Sequence, residues 1–194
     1  MKKIGILMLT VAFISMSFVN PTVEADGELN VDVVSSKITW KGYKPTGSHV
    51  GTINLISGVL EVNGDKIKGG SFSADMTTIK DSEGNARLEK HLKSADFFEI
   101  ETFPTATFEI SDSKMKEGKT IVTGNLTIKG ITKEVSFPAL VSENDNSVTL
   151  TSETFQVNRA DFYVKFKSKT FFNDLKDKFV NDDFDLQVTI VAQK

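Results

Sequence analysis

Almost every segment after Leu29 alternates apolar with polar residues at period two. Successive side chains of a strand point to opposite faces, so each such run presents one apolar face that has to be buried. The pattern holds around Ile38 and Trp40, and at Ile53 and Leu55. It recurs at Phe72, Ala74 and Met76; at Ala106, Phe108 and Ile110; and at Val122, Gly124, Leu126 and Ile128. Val135, Phe137, Ala139 and Val141 repeat it, as do Phe184, Leu186, Val188 and Ile190. Between the runs sit turn formers: Ser57-Gly58, Asn63-Gly64-Asp65, Glu117-Gly118-Lys119, Lys129-Gly130 and Asn144-Asp145-Asn146. Short strands punctuated in this way predict an all-β antiparallel barrel or sandwich. Leu88 and Leu92, four residues apart, predict a short helix over Ala86 to Lys93, and Thr170 to Phe179 reads as a second helical turn. Exported antiparallel proteins commonly remove their sheet edges by closing about eight strands into a barrel. A sandwich packs dry, whereas such a barrel can enclose one small ligand, and the patterning leaves both open.

The first residues have a different logic. Lys2 and Lys3 precede an apolar run from Ile4 to Val19, and Val23-Glu24-Ala25 supplies small residues for cleavage, the layout of a secretory signal peptide over residues 1–25. The run is short for a membrane span, which needs about 20 apolar residues, so no stable membrane insertion is expected. Residues 26–194 then form one domain, 194 less 25 or 169 residues, enough for a core. The expected location is periplasmic or secreted. Losing two lysines and one glutamate takes the net charge from −3 to −4, a poor balance for nucleic acid or anionic membrane. With no cysteine there is no disulfide, no thiol nucleophile and no cysteine metal site.

The order of short motifs narrows the reading. Trp40-Lys41-Gly42, Thr46-Gly47-Ser48-His49-Val50-Gly51 and Gly69-Gly70-Ser71-Phe72 come first, then His91-Leu92-Lys93-Ser94-Ala95-Asp96-Phe97-Phe98. Phe103-Pro104-Thr105-Ala106-Thr107-Phe108, the run from Gly124 to Lys133 and Asn158-Arg159-Ala160-Asp161-Phe162 follow. In this order and spacing they resemble the YceI family, from about Leu29 to Ala192. The resemblance implies a lipocalin-like barrel of eight antiparallel strands around a long hydrophobic cavity, and a polyisoprenoid or other amphiphile as ligand. One stretch departs from the family: Tyr163-Val164-Lys165-Phe166-Lys167-Ser168-Lys169 stands where a small, glycine-containing segment is expected, which bears on the cavity mouth.

The cavity lining expected on these grounds is Trp40, His49, Ile53, Phe72, Met76, Phe98, Phe108, Ile110, Leu126, Ile128, Phe137 and Phe162. Fifteen phenylalanines against two tyrosines suit an all-hydrocarbon ligand, though a Phe-rich core would account for them as well. His49 shares the inward parity of Ile53 and Leu55; it either meets a polar head group or hydrogen-bonds a backbone group in the core. His91, between Lys90 and Lys93, reads as solvated loop charge. Arg159 and Asp161 share a parity and read as a structural ion pair. Trp40 is expected to plug one barrel end with its indole N–H on a backbone acceptor. Asp182, Asp183 and Asp185 lack the glycine and terminal glutamate of a calcium loop and read as a solvated turn. The Asn125-Leu126-Thr127 sequon falls within a predicted strand and is discounted.

No phosphate loop, nucleophile elbow or zinc-protease motif occurs, so no catalytic residue, metal or cofactor is assigned. The expected function is an exported binding protein that sequesters or carries an isoprenoid-type or fatty lipid, with no nucleic-acid partner. Its oligomeric state is open, a dimer included. The competing reading is an envelope or stress protein with a filled core, acting through protein contacts.

Overall fold

The computed structural model describes residues 26–64 and 66–194. The proposed leader, residues 1–25, lies outside the described residues, as does Asp65 of the predicted Asn63-Gly64-Asp65 turn. In chain order the strands are β1 (Asp26–Val31), β2 (Lys37–Lys44), β3 (Gly47–Asn63) and β4 (Lys66–Asp81), followed by helix α1 (Ala86–Lys93). Then come β5 (Thr105–Lys116), β6 (Lys119–Ile128), β7 (Ile131–Glu143), β8 (Ser147–Ser152), β9 (Phe155–Asn158) and β10 (Asp183–Gln193). Every pairing is antiparallel, and β10 pairs with both β2 and β8, so the sheet returns on itself. β1 and β2 share one side of the long β3, while β8 and β9 share one side of β10. The closed circuit therefore has eight positions, and the all-β, barrel-like reading holds.

Turn chemistry fixes the hairpins. Glu117 (φ 52°) with Gly118 (φ 78°), and Lys129 (φ 51°) with Gly130 (φ 72°), are two-residue turns whose positive φ values match the twist of the flanking strands. At the β7–β8 connection the Asn144 side chain accepts from the N–H groups of Asn146 and Ser147 (2.9 Å each). Ser57-Gly58 is not a turn. It lies inside β3, where the register with β4 shifts between Leu55 and Ser57, a bulge that bends the strand. The helix forms as expected, with Asn85 accepting from the N–H of Leu88 (3.1 Å) at its N-cap. In the Thr170 to Phe179 region the second helical element is a single 3-10 turn, Lys176–Lys178.

The strand parity read from the sequence carries through to the interior. At the end formed by the β3–β4, β5–β6 and β7–β8 hairpins, Leu60, Val62, Ile67, Ala139, Val148 and Ala192 are at most 2% exposed and pack into a solid floor. Burying each of the larger ones contributes about 1.5–3 kcal/mol. The other end is not filled.

Candidate functional site

Above that floor the strands enclose a lumen of about 980 Å³. Its walls are the inward residues of each strand: Ile53 and Leu55 from β3, Phe72, Ala74 and Met76 from β4, Ala106, Phe108 and Ile110 from β5. Val122, Leu126 and Ile128 of β6, Phe137 of β7, Leu150 of β8 and Phe184, Leu186, Val188 and Ile190 of β10 complete them. A belt of rings crosses the wall: Phe72 and Phe108 lie 6.5 Å apart, Phe108 and Phe137 5.6 Å, and Phe137 stacks on Phe155 at 4.3 Å. Gly124 makes room for the belt, since a Cβ there would come within 2.5 Å of the Phe108 ring.

The mouth is built by the β2–β3 turn, α1 and the segment from Phe166 to Asn181. His91, Phe97 and Phe166 form an aromatic collar, with His91 edge-on to Phe166 at 4.3 Å and to Phe97 at 5.5 Å. Tyr43, on the rim, donates a short hydrogen bond to Asp185, which holds its hydroxyl above the usual tyrosine range. Arg159 is 3% exposed and stitches the rim segment to the wall. Its guanidinium donates to the carbonyls of Val164 (2.7 Å), Val180 (2.9 Å) and Asn181 (2.9 Å), and pairs with Asp182 at 3.1 Å. Burial pulls its pKa down, opposed by the Asp182 charge.

Eleven of the twelve lining residues expected from sequence face this lumen. Phe162 does not. It is 1% exposed within the cluster of Met76, Ala106, Ile128 and Val157, behind the wall, because Arg159–Phe162 is a 3-10 turn and strand parity fails there. Arg159 pairs with Asp182 rather than Asp161 for the same reason, and Asp161 is exposed. Asp182 and Asp185 are correspondingly not a solvated turn: the first also accepts from Thr170, the second from Tyr43 and Gln156. Trp40 packs across Gly51 in the mouth-end cluster, and its indole N–H finds no acceptor among the described residues. His91 is a collar residue, not free loop charge.

His49 lines the lumen with Nδ1 3.4 Å from the Oδ1 of Asp81, so its neighbour is a buried carboxylate rather than a backbone group. The other Asp81 oxygen accepts from the N–H groups of Glu83 (3.1 Å) and Asn85 (3.2 Å), tying β4 to the start of α1. His49, Asp81 and Glu83 are the described residues close enough together to hold a metal ion. Sequence reasoning missed Phe97, Phe155, Phe166 and Phe179, all of which line the lumen. Only the late aromatic and lysine run signalled any of them.

Comparison with known proteins agrees with this architecture. The model of the YceI-like domain matches residues 14–192. Protein YceI of Salmonella arizonae is 31% identical over 150 residues, 75% of this chain and 76% of its own length. A UPF0312 protein of Pseudomonas aeruginosa is 36% identical over 83 residues, a match spanning 42% of this chain and 41% of that protein. Among solved structures, Burkholderia cenocepacia BcnA has a TM-score of 0.71 at 24% identity, covering 84% of this chain and 99% of its own. A polyisoprenoid binding domain from Saccharophagus degradans, implicated in plant cell wall breakdown, has a TM-score of 0.66 at 13% identity over 87% of this chain and 99% of its own. At these identities the two structures establish the shared fold.

Proposed function

The chain belongs to the YceI-like family, and from that premise we propose that it is an exported carrier that takes one isoprenoid-type or fatty amphiphile into its lumen. The observation that carries this reading is an apolar space of about 980 Å³ with a packed floor and an open end. Such a space matches an elongated hydrocarbon, each buried methylene of which contributes about 0.8 kcal/mol. Rings without hydroxyls leave nothing in the wall for such a tail to desolvate unfavourably. Lysines at positions 2 and 3 ahead of an apolar run support export. The polar groups gather at the rim and the walls are hydrocarbon, which favours holding a lipid over transforming it.

The test is organic extraction of the purified protein, followed by mass spectrometry. A bound long-chain amphiphile is expected, and it should be missing from Ala106→Trp, whose indole would occupy the lumen from the β5 wall. Folded wild-type protein that yields no lipid from several expression hosts would overturn the proposal.

A further inference from the structure

Charge is distributed unevenly along this lumen. Lys44, Arg87, Lys90, Lys167 and Lys178 all line its mouth, and among the lining residues the carboxylate is Asp177. The chain as a whole carries more acid than base, 26 against 23. All five cations are exposed, and none makes an ion pair among the described residues. They come from three separate segments: the end of β2, one side of α1 and the loop before β10. Arg87 and Lys90 stand three apart on the helix, so they share a face and repel each other. Lys167 is set at the rim by a backbone of φ 48°, with its ammonium 5.3 Å from the ring of Phe166. Its neighbours Lys165 and Lys169 instead lie over Tyr163 (3.6 Å) and Phe179 (3.4 Å).

Gathering five cations around the one lining carboxylate, Asp177, is unfavourable, and it is relieved by an anion placed among them. An anion at this position would be the polar end of whatever fills the apolar lumen. Resting on the lipid-binding reading above, we infer that the mouth selects amphiphiles with an anionic terminus, a phosphate or a carboxylate, over neutral ones with the same tail. The lumen holds the tail, and the five cations read the head.

The experiment compares geranylgeranyl monophosphate with geranylgeraniol on the full-length mature protein, by displacement of a fluorescent hydrocarbon probe. Inorganic phosphate is the third ligand, its binding read by calorimetry, since an ion at the mouth need not displace a probe from the lumen. The phosphate ester is expected to bind about tenfold more tightly than the alcohol, a gap of about 1.4 kcal/mol. The gap should close in 1 M salt, where the screening length falls to about 3 Å. The double variant Lys90→Glu, Lys167→Glu changes two exposed side chains and should bring the ratio of ester to alcohol affinity close to one. Equal affinity of ester and alcohol for the wild type would overturn the head-group inference and leave the lipid-binding reading intact. Binding of neither would overturn both. Inorganic phosphate binding as tightly as the ester would overturn the inference by showing an anion site independent of the lumen.

Discussion

Arg159 is the residue on which the rim depends. One guanidinium satisfies three backbone carbonyls and one carboxylate, all belonging to the segment between Val164 and Asp182. Its planar fork meets several acceptors at once, which a lysine cannot do. Replacing it with methionine keeps most of the volume but leaves three carbonyls without their donor and the Asp182 carboxylate with Thr170 alone. Removing one partner of a buried pair costs about 3–5 kcal/mol, so Arg159→Met should lose stability of that order in urea denaturation. Asp182→Asn should lose less, because the carbonyl contacts survive. A loss under about 1 kcal/mol for Arg159→Met would show that the stitch contributes no more than a surface pair. Periodicity marked Arg159 as inward and in need of a partner, but assigned the partner to Asp161. The true partner lies 23 residues on, in the loop just before β10, and a single sequence contains no signal for that approach.

At the scale of elements, strands were legible because their interior has period two. The seven runs recognised from alternation all lie in strands, and the inward residues are those that carry the apolar stripe. What alternation missed was short or aperiodic: β1, β8, β9 and the long segment before β10, where 3-10 turns and left-handed residues such as Tyr163 and Lys167 break any fixed parity. Of the aromatic collar, Phe166 comes from that last segment, while His91 and Phe97 lie in and just after α1, where strand parity does not apply. Within the sheet, the seam of β2, β3 and β4 is closest at Gly51. A Cβ there would lie 1.8 Å from the carbonyl oxygen of Lys80 and 2.3 Å from the Trp40 ring, so backbone as well as side chain would have to move. Gly51→Ala should therefore cost roughly 1–3 kcal/mol or more. It should also shift the emission of Trp40, the chain's one tryptophan. Gly42→Ala, with open space around the added methyl, is the control and should leave the emission in place. An unchanged spectrum in Gly51→Ala would refute the packing described.

For the whole molecule, closure of the ring is what alternation could not foretell. An apolar stripe is the same whether it faces a second sheet or an enclosed space, and the family resemblance supplied the choice. On the lipid-binding proposal, part of the stability resides in the guest. Ligand at about 100 times its Kd adds about 2.7 kcal/mol, which for a domain of this size corresponds to roughly 5–10 °C in Tm. Protein stripped of lipid by organic solvent and refolded should melt lower by that margin in calorimetry, and regain it when the extract is returned. Identical melting of stripped and loaded protein would mean that the guest contributes nothing. The packed floor of Leu60, Val62, Ile67, Ala139, Val148 and Ala192 has a last consequence. A sleeve sewn shut at one end cannot be a conduit: whatever enters first leaves last. On the carrier proposal, a tail that goes in foremost keeps its head at the rim, and any recipient must approach α1 and draw the guest out backwards. Loading and delivery are one path travelled in two directions, and both contend for the same doorway.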